Sequence, residues 1–289
     1  MKIAFIGLGN MGGPMAANLQ AAGHDVIGVD PVEQPEGLTV VTDAKAACEG
    51  VDVVVTMLPN GAILRSVADE IIPALPNDAV FIDCSTVDVD SARAVAQQAE
   101  AGGIRAIDAP VSGGNKGAAD GTLTFMAGGP ANAFSVAEPL LAIMGQKAVH
   151  CGEAGAGQAA KICNNMILGV TMIATCEAFA LADKLGLDRQ KMFDVVSTSS
   201  GYSWSMNTYC PAPGVGPQSP ADNDYKPGFA SELMLKDLRL SQEAAERVDA
   251  VTPMGKKAQT LYAQFVEEED GLGRDFSAIL YRFVERNRG

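Results

Sequence analysis

Cationic side chains are scarce in this chain of 289 residues: 21 Lys and Arg stand against 35 Asp and Glu, a formal net charge of −14. A surface of that sign repels phosphate backbones and excludes nucleic acid as a partner. Histidine is nearly absent. Only His24 and His150 occur, and neither has a carboxylate at a spacing suited to acid or base catalysis. The cysteines Cys48, Cys84, Cys151, Cys163, Cys176 and Cys210 form no Cys-x-x-Cys pair and have no histidine cluster beside them. That excludes a zinc site and a dense disulfide framework, so no metal is expected and a reducing compartment fits best.

Long uninterrupted apolar runs are also missing. The longest stretch, Met166 to Ala182, contains Thr171, Thr175 and Glu177, and reads as a buried or interface helix rather than a membrane span. The chain opens directly on strand-like Met1-Lys2-Ile3-Ala4-Phe5, without the charged leader and apolar segment of a targeting peptide. A cytoplasmic location without membrane association is therefore expected. Apolar residues are plentiful, at 47% of the chain, enough for one or two buried cores rather than disorder.

Up to about residue 160, short β-rich runs alternate with Ala-rich stretches, the pattern of a parallel sheet with crossover helices. The predicted strands are Lys2–Ile6, Asp25–Asp30, Thr39–Val41, Val51–Leu58, Ala79–Cys84, Arg105–Asp108, Thr122–Ala127 and Lys147–Cys151. Most are continuous apolar runs, as strands covered on both faces should be. After Gly157 the regular segments are helical, predicted over Gln158–Lys184, Arg189–Ser197, Ser231–Arg247, Thr252–Glu269 and Asp275–Arg286. The expected architecture is an α/β Rossmann-like dinucleotide-binding domain over 1–160, followed by an all-α domain over 161–289 linked by a long helix. Between Gly201 and Gly228 lies a segment expected to be non-helical, with five prolines, Trp204, Tyr202, Tyr209 and Tyr225. Its aromatics argue for a packed loop near a binding site rather than a solvated linker.

Gly7-Leu8-Gly9-Asn10-Met11-Gly12 matches Gly-x-Gly-x-x-Gly, directly follows the first strand and opens a helix. In that context glycines permit a tight turn and close approach of a pyrophosphate to the positive end of a helix. The second strand ends at Asp30, where a carboxylate would accept hydrogen bonds from the adenosine ribose. A 2'-phosphate there would meet like charge, and Pro31, Val32 and Glu33 offer no cation, so NAD is favoured over NADP. Leu58-Pro59 and Ser85-Thr86 end later strands at the carboxyl edge, either lining the cofactor or serving as strand stop and helix cap.

Candidates for chemistry are few. Lys161 and Asn165 are four residues apart on one helix face near the change of pattern. They are either a proton-exchanging, partly desolvated lysine with its partner, or a lysine snorkelling to solvent beside a capping amide. Ser112-Gly113-Gly114 can present backbone N–H groups to a carboxylate or phosphate, or be a flexible turn. Lys236-Asp237 reads most simply as a solvated charge pair.

Together, Gly7 to Gly12, Asp108-Ala109-Pro110-Val111-Ser112-Gly113-Gly114, Gly155-x-Gly157 leading to Lys161-x-x-Asn164-Asn165, and Lys236-Asp237 form a recognisable set. The chain resembles the β-hydroxyacid dehydrogenase family over its whole length. Trp204 through Tyr209-Cys210-Pro211-Ala212-Pro213-Gly214 to Phe229 looks most like members taking a small methyl-bearing β-hydroxyacid, not tartronate semialdehyde. The resemblance implies Lys161 as catalytic acid/base, Asn165 as the residue orienting substrate, and Ser112, Gly113 and Gly114 as carboxylate binders. Lys236 would close the site, reaching substrate and cofactor, with Asp237 supporting it, and Trp204 would belong to an apolar lid. Gly7, Leu8, Gly9, Asn10, Met11, Gly12, Asp30, Leu58, Pro59 and Thr86 would hold NAD. Ile63 departs from a polar cofactor contact that some members carry. A homodimer or homotetramer is expected from the apolar Met166–Ala182 face. The alternatives are a relative acting on D-glycerate or serine, and an NAD-binding regulatory protein. A 6-phosphogluconate enzyme is disfavoured because the helical half has no basic cluster for a sugar phosphate.

Overall fold

The computed structural model describes residues 1–286. Residues 287–289, the end of the helical domain expected over 161–289, lie outside the described residues. The chain divides into two compact units, Met1–Lys161 and Ile162–Gly289.

In the first unit the order is β1 (Lys2–Ile6), α1 (Gly12–Ala21), β2 (Asp25–Val29), β3 (Thr39–Val41), α2 (Ala44–Ala47), β4 (Val53–Thr56), α3 (Gly61–Ile71), β5 (Val80–Asp83), α4 (Val89–Ala101) and β6 (Arg105–Asp108). There follow β7 (Val111–Ser112), α5 (Gly114–Asp120), β8 (Leu123–Gly128), α6 (Ala131–Met144) and β9 (Gly145–Gly152). The sheet runs β3-β2-β1-β4-β5-β6-β8-β7, with β9 also paired to β8. Its β3-to-β6 part is parallel, the order of a doubly wound dinucleotide fold whose strand order reverses beside β1. Alternation along β1 explains the two-sided burial: Ile3 and Phe5 enter one core with Met15, Leu19 and Leu140, while Ala4 and Ile6 enter the other with Leu64, Ile71 and Phe81. Each large side chain so buried contributes roughly 1.5–3 kcal/mol.

Three expectations need correction here. The sheet is not wholly parallel, because β8 pairs antiparallel with both β6 and β7. The strand expected over Val51–Leu58 shortens to Val53–Thr56, since the Leu58 amide leaves the ladder and donates to Ser85 Oγ at 2.8 Å. Strand β9 runs Gly145–Gly152, beyond the expected Lys147–Cys151, and most of its residues are exposed, although Phe134 of α6 stacks on His150.

Helix α7 (Ala156–Leu185) starts in the first unit and continues into the second, which adds α8 (Arg189–Val196), α9 (Trp204–Asn207), α10 (Ser231–Arg247), α11 (Pro253–Glu267) and α12 (Leu280–Arg286). Gly169 gives α10 close access to α7: a Cβ there would stand 3.1 Å from Leu238 and 3.2 Å from Met234. The α7 face expected to be an oligomer contact is largely internal, with Met172, Ile173, Cys176 and Phe179 in the unit's own core. Ile167, Leu181 and Leu185 remain exposed. Half of the most apolar window of α7 is buried, although the helix is long and apolar enough to cross a membrane.

The segment 201–228 is packed, but it is not free of helix. Ser203 caps α9 by accepting the Met206 amide, and Ser219 with Asp222 forms a capping box on a 3-10 turn, Pro220–Asn223. The helix expected over Asp275–Arg286 divides into a 3-10 turn, Phe276–Ile279, and α12.

Candidate functional site

The glycine loop between β1 and α1 is shaped by what its neighbours leave open. Gly7 adopts φ +94°, and a Cβ there would lie 2.3 Å from the Met57 carbonyl oxygen. At Gly12 a Cβ would meet the Gly7 oxygen at 1.9 Å, so the helix start can only press against the loop as glycine. Gly9 faces open space, with nothing within 4 Å of a Cβ position. The first amides of α1 have no side-chain cap at Met11, leaving donors for an anion at the positive end of the helix. These features fit a dinucleotide pyrophosphate.

Asp30, just past β2, organises this loop. Its Oδ2 accepts the Leu8 amide at 2.8 Å, and its Oδ1 accepts those of Val32 and Glu33, each at 2.9 Å. Burial pushes the carboxyl up, but these amides outweigh it and hold its pKa below the usual value. The group is therefore anionic at neutral pH. A carboxylate offers about four lone-pair positions, so capacity remains for a ribose hydroxyl.

At the ends of β4 and β5, Ser85 is buried and its hydroxyl holds the Leu58 amide. The alternative of a helix cap at Ser85 or Thr86 does not hold: Asp88 caps α4 by accepting the Ser91 amide, and Asn60 caps α3 by accepting that of Ile63. Pro59 is exposed, Leu58 and Thr86 are half-buried, and Ile63 is exposed. After β6, Gly113 and Gly114 take φ values of +139° and +63°, a conformation open to glycine at no steric cost. Ser112 is paired to Thr124 of β8.

Helix α7 carries Lys161 and Asn165 one turn apart, 7% and 2% exposed. Burial of the lysine rules out a side chain snorkelling to solvent, and Asn165 sits within the helix rather than at its end. Asn165 Nδ2 donates to Asp237 Oδ2 at 2.5 Å, and Asn165 Oδ1 accepts from Asn164 Nδ2 at 2.9 Å. The reading of Lys236-Asp237 as a solvated pair is corrected: Asp237 is buried on α10, where Met234, Leu238 and Ser241 share its face. Lys236 Nζ lies 3.5 Å from Asp237 Oδ1 with its side chain 30% exposed. The structure thus gathers Asn165, Lys236 and Asp237 in the helical unit.

Trp204 is 47% exposed and stacks on Tyr209 at 4.8 Å between ring centroids. Tyr209 is fixed in turn by Asp275, whose Oδ2 accepts its hydroxyl at 2.8 Å and the Gly228 and Phe229 amides at 3.0 Å. Sequence reasoning placed Asp275 at a helix start but missed this second role. It also missed Gln158 and any role for Asp108, whose partners are 47 and more residues distant in the chain.

A doubly wound sheet with a glycine loop and an anionic strand end defines a dinucleotide-binding domain, here followed by a helical unit presenting buried polar side chains. Residues 2–152 match the family described as the NAD binding domain of 6-phosphogluconate dehydrogenase, and 155–283 that described as NAD-binding of NADP-dependent 3-hydroxyisobutyrate dehydrogenase. A 3-hydroxyisobutyrate dehydrogenase of Pseudomonas aeruginosa is 48% identical, over 97% of this chain and 98% of its own. The NAD-dependent L-serine dehydrogenase of that bacterium is 42% identical, over 96% of each chain. The solved structure of Mycobacterium tuberculosis 3-hydroxyisobutyrate dehydrogenase with L-serine has a TM-score of 0.93 at 48% identity, covering 97% of this chain and 98% of that one. The chain belongs to the β-hydroxyacid dehydrogenase family, oxidoreductases in which the first unit binds NAD.

Proposed function

We propose that the protein oxidises the primary hydroxyl of 3-hydroxyisobutyrate to methylmalonate semialdehyde, a step of valine breakdown, with NAD as acceptor and Lys161 as acid/base. The observation that carries this is the buried pair on α7, Lys161 with Asn165 one turn on and held by Asp237. NAD, when bound, supplies the hydride acceptor. Neutral Lys161 takes the hydroxyl proton as the carbonyl forms, and its ammonium returns that proton in the reverse direction. Asn165, with one amide N–H committed to Asp237, keeps its second N–H for the substrate oxygen. Ser112 and the Gly113 and Gly114 amides bind the carboxylate, aided by the Lys236 charge, which also reaches the cofactor. Trp204 contributes to an apolar lid that excludes water.

Gly7, Leu8, Gly9, Asn10, Met11 and Gly12 hold the pyrophosphate, and Leu58, Pro59 and Thr86 contact the rest of the dinucleotide. NAD is preferred to NADP because Asp30 is anionic and the following Pro31-Val32-Glu33-Gln34-Pro35-Glu36 supplies no cation for a 2'-phosphate. This reading includes a cytoplasmic location and a homodimer or homotetramer, for which the exposed Ile167, Leu181 and Leu185 of α7 offer apolar contact surface. Full-length similarity to dehydrogenases supports catalysis over a regulatory role.

A second reading, oxidation of L-serine or the related D-glycerate, is favoured by the L-serine dehydrogenase among the relatives and the L-serine in the neighbouring structure. Initial rates of NADH formation with the 3-hydroxyisobutyrate enantiomers, L-serine and D-glycerate decide between them. The expected result is the highest kcat/KM on 3-hydroxyisobutyrate. A higher value on L-serine would replace the substrate, and no turnover on any of them would overturn the function.

A further inference from the structure

Asp108 ends β6 and is 5% exposed, yet the reaction above gives it no task. Its Oδ1 accepts the Gly155 amide at 2.7 Å and its Oδ2 the Gln158 amide at 2.8 Å. Both oxygens are thus committed to the first turn of α7. The fit is close on every side: a Cβ on Gly128 would lie 2.6 Å from Oδ1, and one on Gly157 would lie 2.8 Å from Oδ2.

Gln158 carries the connection onward. Its side chain is fully buried, with Nε2 donating to the Ser85 carbonyl at 2.8 Å and Oε1 accepting the Val87 amide at 3.1 Å. These two bonds bracket Thr86, and the Ser85 hydroxyl holds the Leu58 amide in turn. The start of α7 is therefore bonded to the carboxyl ends of β5 and β6, and through Ser85 to the residues after β4. Lys161 follows Gln158 by three residues on the same helix, so the two share a face. A lysine side chain has four flexible bonds, and its placement is only as good as the backbone that carries it.

We propose that Asp108 and Gln158 are positioning residues: together they clamp the first turn of α7, holding Lys161 in register with the strand ends at Leu58 and Thr86. The proposal rests on Lys161 being the acid/base. A displacement of about 1 Å in a reacting group can cost on the order of a hundredfold in rate, which is the scale the clamp controls. Other ionisable groups near this turn are Asp83, the Cα partner of Asp108 on β5, Cys151 on β9, and Arg93 of α4 beside Gly155.

The test uses the full chain with NAD and 3-hydroxyisobutyrate. Asp108→Asn keeps the shape but removes the charge and one acceptor, while Gln158→Met keeps the volume and removes both side-chain bonds. Both are expected to lower kcat about ten- to a hundredfold while the Kd for NAD stays within about threefold. Above about pH 7, where Asp108 is ionised, Asp108→Asn should also move the Lys161 limb of the pH–kcat profile down by about half a unit or more, because its carboxylate no longer offsets the positive helix end. Gln158→Met, which removes no charge, should leave that limb in place. Wild-type kcat in both variants, or a profile scaled by Asp108→Asn without displacement of its limb, makes the clamp merely structural and overturns the proposal. Should Asp108→Asn fail to fold, Gln158→Met decides: lowered kcat with retained NAD affinity supports the clamp, and any other result overturns it. Lys161→Ala, run alongside, separates the two ideas, since undiminished turnover there overturns the lysine's role whatever the clamp variants do.

Discussion

Asn165 on α7 donates its side-chain amide to Asp237 on α10 at 2.5 Å, across a point where both residues are at most 2% exposed. The bond assigns the amide's orientation, because a carboxylate can only accept. It also commits the buried charge of Asp237, with Lys236 as its second partner.

Removing that acceptor should show in catalysis. Asp237→Ala frees the Asn165 amide to rotate and leaves Lys236 without its carboxylate, and kcat is expected to fall at least about tenfold. Asp237→Asn, which preserves shape, should fall less. Equal, wild-type kcat in both variants would contradict a role for this pair.

Nucleotide choice should rest on Asp30. In Asp30→Asn the negative charge is gone while an acceptor for the Leu8 amide remains, so the NAD-to-NADP ratio of kcat/KM should drop at least about tenfold, a change of roughly 1.4 kcal/mol. Steady-state kinetics with both nucleotides reads this directly. An unchanged ratio would place discrimination elsewhere.

The loop carrying Trp204 depends on a buried hub. Asp275 is fully buried and accepts from Tyr209, Gly228, Phe229 and Ser277. Burial, reinforced by the charge of Asp275, keeps the Tyr209 phenol above its ordinary pKa, so it remains a donor at physiological pH. Tyr209→Phe should therefore destabilise the helical unit by about 1.5–3 kcal/mol, the range for a hydrogen bond to a charged group. Urea denaturation measures it, and a loss below about 0.5 kcal/mol would show that the bond adds nothing net.

Stability should depend on pH through Asp108. Burial lifts its carboxyl to about 7; the Gly155 and Gln158 amides pull against this and the charge of Asp83 adds to it. The folded chain then holds a proton that the unfolded chain has released, so the contribution of Asp108 to stability is greatest below pH 4 and declines as pH rises towards 7. The span is on the order of 4 kcal/mol, taken from the difference between the raised and ordinary values. The stability of wild type minus that of Asp108→Asn, measured in urea at stepped pH, should decline across that window and level off above it. A difference independent of pH would contradict the raised value.

Much of this was legible in the chain because each feature had a local cause. Strands β1, β3 and β6 and helix α10 have the predicted limits, and the glycine loop sits where strand, turn and helix meet. Two- and four-residue elements such as β7 and α9 carry no period to read. The burial of Asp237 did have a signal: it lies three residues after Met234 and four before Ser241, in phase with the buried stripe of α10. Asp108 had none, because the amides it caps are 47 and 50 residues away. The same holds for Asp275, which meets Tyr209 from 66 residues further along.

In the proposed reaction Lys161 moves the proton, and Lys161→Ala removes the group that does so. With NAD and 3-hydroxyisobutyrate, the predicted result is a fall in kcat of about a thousandfold, within the range for loss of a general base, while the Kd for NAD stays within about threefold. Undiminished kcat in that variant would contradict it.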